Sequence, residues 1–201
     1  MIASRLKRLV VGGSAGNEHL TLAVAALLVV LLAVEGGTIL DVGPLLTMHA
    51  FVGMLLIPVV ALKAASTGWR LLSYYRGGEE YVRRGPPHIA LRALVAPVLM
   101  LSTVVLFGTG VALLALGQTE GTIVGLHKAS FIVWFGAAGL HVLAHALRLP
   151  GLWRLRAPGA ALRVALVGAS LAAGVVLATV TLPAADQLQD HTTGHIGFDE
   201  R

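Results

Sequence analysis

Residues 123–149 read IVGLHKASFIVWFGAAGLHVLAHALRL. The run is apolar over enough length to cross a bilayer, for which a helix needs about 20 residues. It nevertheless holds three histidines, His127, His141 and His145. Ionisable groups inside a membrane are costly and by default mark function. On an α-helix, the step from His127 to His141 advances about 21 Å and falls about 40° short of whole turns. The two side chains therefore project from nearly one face at two depths. His145 follows one turn later on the same stripe.

The whole chain has the composition of a membrane protein. Of its 201 residues, 56% are hydrophobic and 12% charged, with a mean hydropathy of +0.82. A soluble domain carries about 25% charged residues. There are no cysteines. That excludes disulfides, thiolate-bound metals, cysteine-held iron–sulfur clusters and covalently attached c-type haem. The net charge of +5 reads as basic cytoplasmic loops, not as a nucleic-acid surface.

Outward from the opening stretch, the hydropathy divides the chain into an all-α polytopic bundle of five transmembrane helices. The expected spans are 20–40, 44–65, 89–116, 123–149 and 161–182. They form one transmembrane domain, 18–182, between a basic N-terminus, 1–17, and a polar tail, 183–201. The most apolar part of the first span, residues 20–34, is followed by Glu35-Gly36-Gly37, not by a small-residue cleavage site, so the span is read as retained. Residues 66–87 are expected to form a long loop at headgroup level, because Trp69, Tyr74, Tyr75 and Tyr81 alternate there with arginines. Pro150 is expected to close the fourth span and Pro183 the fifth.

Charge sets the expected orientation. Arg5, Lys7 and Arg8 precede the first span; Arg70, Arg76, Arg83 and Arg84 follow the second; Arg148, Arg154 and Arg156 follow the fourth. The opposite side holds only Lys128 and Arg201, with Glu35, Asp41 and Glu120. Positive residues stay inside, so the N-terminus is expected in the cytoplasm and the C-terminus outside.

Orientation then assigns depth to each histidine. His49 begins the second span and His127 the fourth, so both fall in the outer leaflet. His141 and His145 fall in the inner leaflet. His19 and His88 lie near the inner boundary, where either could partner His141 or His145. Two neutral imidazoles on opposite faces of a haem give a saturated, electron-transferring iron centre. The pattern therefore points to axial ligation of one or two b-type haems. His141 and His145 share one helix face, so both cannot serve one haem. Trp134 could sit between haem edges or simply pack. Gly136, Ala137, Ala138 and Gly139 would let a macrocycle or another helix approach closely. Lys128, Arg92 and Arg148 could meet propionates, or serve as interface anchors. His191 and His195, in the run DHTTGH, could bind an external metal ion or simply belong to a solvated tail.

The His127–His141 spacing, with His49 on an earlier helix, resembles the membrane di-haem b-type cytochromes. These include the bacterial cytochrome b561-like proteins, the cytochrome subunits of hydrogenases and formate dehydrogenases, and the ferric-reductase-like transmembrane domain. The resemblance covers about residues 18–149. It implies haem b, electron transfer within or across the bacterial cytoplasmic membrane, and exchange with quinone or a partner redox subunit. The chain departs from the respiratory cytochrome b pattern at Lys63, the position fourteen after His49. A second haem would need a ligand from the first or third span, His19 or His88.

Two other classes compete. A metal permease or proton-coupled transporter would use the histidines as a ladder, but no acidic residue lies mid-span. A cofactor-free scaffold subunit would leave the depth matching of His49 and His127 without purpose.

Overall fold

A computed structural model describes residues 13–83, 91–146 and 158–196. Among them the chain is helical and has no strand. The helices are α1 (Gly13–Ile39), α2 (Leu46–Tyr75), the single turn α3 (Glu79–Val82), α4 (Ala96–Leu116), α5 (Thr122–Ala146) and α6 (Ala160–Ile196). A π-helical turn, Leu91–Val95, leads straight into α4, and Pro97 stands just past the junction, with no N–H to donate to the preceding turn. Five helices are long and apolar enough to cross a membrane, as the hydropathy predicts.

Two boundaries differ from expectation. The second helix does not stop near residue 65. It continues through the expected loop to Tyr75, and Gly77, at φ +74°, turns the chain away. The apolar run ends at Ser66, but the helix carries on through Gly68, and the first glycine at positive φ is Gly77. Hydropathy marks where the lipid-compatible stretch stops, not where the helix stops. Likewise, Pro183 lies inside α6 instead of ending it. A proline in a spanning helix is tolerated when neighbours hold the structure. Here the continuation is held by docking: Ala185 and Leu188 are buried. Gln189 Oε1 accepts the backbone N–H of Thr47 at 2.8 Å, and Gln189 Nε2 donates to Pro44 O at 3.0 Å. The Thr47 hydroxyl donates to Asp186 Oδ1 at 3.0 Å. No side chain of the α2 N-cap residue itself serves that helix, so α6 supplies the cap from far along the chain.

The core is built on α2. Leu20, Val24 and Leu28 of α1 recur every fourth residue and meet Val52, Leu56 and Val59 of α2. Val167 and Leu171 of α6 close over them, with Phe107 from α4. A second cluster joins Met54, Leu114, Ala178 and Ala185. The α2–α6 pair is the most extensive in the bundle. Gly174 makes it so: a Cβ there would lie 2.5 Å from the Leu55 carbonyl oxygen. Gly174 and Ala178 form the small-xxx-small spacing that lets two helix backbones meet in lipid.

The α1–α2 pair is further tied by polar groups at the start of α1. Asn17 Nδ2 donates to Ser66 O at 2.9 Å, and Lys63 Nζ donates to Thr21 O at 2.7 Å. Helices α4 and α5 form an antiparallel hairpin turned by Gly117 and Gly121, both at positive φ. Trp134 Nε1 crosses from α5 to donate to Thr103 Oγ1 on α4 at 3.0 Å. Much of the remaining surface is apolar. Ile132, Leu143 and Val180 are about 70% exposed, as expected of side chains whose solvent is lipid.

Candidate functional site

The bundle has two parts. Helices α1, α2 and α6 pack together, as do α4 and α5, and fewer contacts join the two groups. His49 in the first turns of α2 and His127 in the first turns of α5 meet across that junction. Their ring centroids are 6.3 Å apart, with planes at 86°.

Each ring is held through Nδ1. On the α2 side, His49 Nδ1 lies 3.0 Å from Glu35 Oε1 and 3.0 Å from Thr38 Oγ1. The Thr38 hydroxyl donates its own proton to Glu35 O at 2.6 Å. Its oxygen can therefore only accept from the ring. A carboxylate likewise only accepts, so Nδ1 of His49 carries the proton. On the other side, His127 Nδ1 lies 3.1 Å from Leu106 O and 3.1 Å from Thr109 Oγ1. The Thr109 hydroxyl turns back to Val105 O at 2.7 Å. A carbonyl accepts and never donates, so Nδ1 of His127 is also the donor.

The network therefore puts a proton on Nδ1 of both rings, and in the neutral form of each ring that leaves the lone pair on Nε2. This is the arrangement found around metal-bound histidine, whose other ring nitrogen donates to a carboxylate or carbonyl. At this separation the two rings stand in an edge-to-face contact, and the two Nε2 atoms would be the ring positions left to hold a metal-bearing group.

Gly110 gives the His127 ring its space, since a Cβ there would lie 3.2 Å from His127 Cε1, whereas one on Gly53 would sit in ordinary contact, 3.6 Å from Glu35 Oε1. The donor set, two imidazoles with Nδ1 committed to protein acceptors, would suit a metal-bearing group held by two histidines. Among the described residues, no three His, Asp or Glu side chains cluster as a metal cage, so a bare ion would find only the histidine pair.

The remaining histidines are dispersed. His19 sits on α1, which packs on α2 and α6, not extensively on α5. Its Nε2 is buried, with no hydrogen-bond partner among the described residues. His141 is half-buried on α5. His145 lies in the last turn of α5 with its side chain outside the described residues, as is all of His88. Lys63, at the place where a second ligand would repeat fourteen residues after His49, instead bonds α1.

Four partners of the pair escape a reading of the sequence by type: Glu35, Thr38, Thr109 and the Leu106 carbonyl. Thr109 had a signal, for it stands between Gly108 and Gly110 in a helix whose other hydroxyl side chains are Ser102 and Thr103. Glu35 and Thr38 looked like the polar end of a span.

Comparison of the chain with family models, curated proteins and solved structures gives no match.

Proposed function

We propose that the chain is a membrane b-type cytochrome that holds one haem between His49 and His127. The observation that carries this reading is the pair of imidazoles 6.3 Å apart, each with Nδ1 committed to a protein acceptor. When bound, the haem would supply one-electron transfer, with His49 and His127 as the residues that would hold its iron. The chain's own residues hold that carrier rigid. Glu35 and Thr38 fix the His49 ring, and Leu106 and Thr109 fix the His127 ring, so neither ligand swings when charge changes. Surrounding apolar helices exclude water.

In this reading the N-terminus is cytoplasmic, the C-terminus external, and the membrane a bacterial cytoplasmic membrane. The haem then lies in the outer leaflet, and its electrons exchange with quinone or a partner redox subunit. Lys63 takes the place of a repeated ligand, and His19 lies away from α5, which favours one haem over two. Purified protein expressed with adequate haem supply tests the proposal: it should carry one b-type haem per chain, and protein without haem bands sinks it.

A further inference from the structure

The two ligands are not held alike. His127 donates to a carbonyl and a hydroxyl, both neutral. His49 donates to a hydroxyl and to Glu35, an anionic acceptor whose side chain is only 13% exposed. A hydrogen bond to a carboxylate is stronger than one to a neutral group, and a low-dielectric surrounding strengthens it further.

The charge is also undiluted. Glu35 Oε2 is buried with no hydrogen-bond partner among the described residues. No second donor draws the carboxylate away from the imidazole. Gly53, one turn after His49, faces the same carboxylate, for a Cβ there would sit in ordinary contact with Oε1 at 3.6 Å. An apolar helix does not accept a buried carboxylate without return, and helix packing alone needs none here.

We infer that Glu35 is a positioning and tuning residue that sets the reduction potential of the group held between His49 and His127. The inference rests on the haem reading above. Its chemistry is electrostatic. The carboxylate pulls on the Nδ1 proton and gives His49 imidazolate character, which raises its basicity as a ligand. An electron-rich ligand and a nearby negative charge both favour the ferric iron over the ferrous. Glu35 thus holds the potential low and makes the reduced centre a readier electron donor. Thr38 moderates the effect, because its oxygen shares the same Nδ1 proton at 3.0 Å.

The test is a redox titration of the full-length haem-loaded protein in detergent, with dithionite and ferricyanide, followed at the reduced b-type band. Glu35→Gln keeps the acceptor's shape and removes its charge. It should retain wild-type haem stoichiometry with a midpoint shifted positive. Thr38→Val removes the competing hydroxyl and should shift the midpoint negative, which keeps the inference testable even if the glutamine variant loads poorly. Unchanged midpoints in loaded variants overturn it while leaving the haem reading intact. Wild-type protein that binds no haem overturns both.

Discussion

His49 and His127 lie with ring centroids 6.3 Å apart and planes at 86°, one on each of the two helix groups of the bundle. The pairing is tertiary, since neither helix packs extensively on the other. A ligand bridging the two rings would also fasten the two groups together.

Removing either ring should therefore have one and the same consequence. His49→Ala and His127→Ala should each abolish the b-type absorption, and both variants should unfold at a lower temperature than haem-loaded wild-type protein, since the bound ligand is lost. His141→Ala and His19→Ala should retain the full band. A variant at His141 that halves the haem content would establish a second haem and contradict the one-haem account.

Thr109→Val removes an acceptor of the His127 Nδ1 proton without changing side-chain shape. The Leu106 carbonyl remains at 3.1 Å, so the ring should stay placed but less firmly. Outer partners of metal-bound histidine contribute about 10–100-fold in affinity. Haem retention in a competition assay with apomyoglobin should weaken within that range.

Gly174 carries the closest approach of α6 to α2. Gly174→Ala sets a Cβ 2.5 Å from the Leu55 carbonyl oxygen, and backbone cannot yield as a side chain can. Overpacking of this kind costs about 1–3 kcal/mol, read as a lowered unfolding midpoint in SDS titration. Gly136→Ala, with nothing within 4 Å of the added Cβ, should be near neutral.

Gln189→Ala and Asp186→Ala remove the cap that α6 lends to α2. Loss of an N-terminal cap costs about 0.5–2 kcal/mol. Because Thr47 lies two residues before His49, hydrogen exchange at the first turn of α2 should quicken in both variants. Trp134→Phe removes the bond to Thr103; such interhelical bonds average about 0.6 kcal/mol, so a small loss of stability with haem unchanged is expected.

The spans were legible because hydropathy over about 20 residues is a strong signal. Helix ends were less so. Tyr75 and Ile196 lie beyond the apolar runs, where helix continuation depends on docking and on the next glycine. The meeting of His49 and His127 was anticipated from depth alone, since orientation put both in one leaflet. Their anchoring was not, because Glu35 sits at a span's end and reaches His49 only after the chain has turned through residues 40–45. An acceptor such as the Leu106 carbonyl has no sequence signature at all.

The most direct test is the reduced-minus-oxidised absorption spectrum of the purified full-length protein, with haem and protein quantified on the same sample. The account predicts b-type bands at one haem per chain, lost together in His49→Ala and His127→Ala. Protein expressed with ample haem yet showing no such bands, or bands that survive both substitutions, would contradict it.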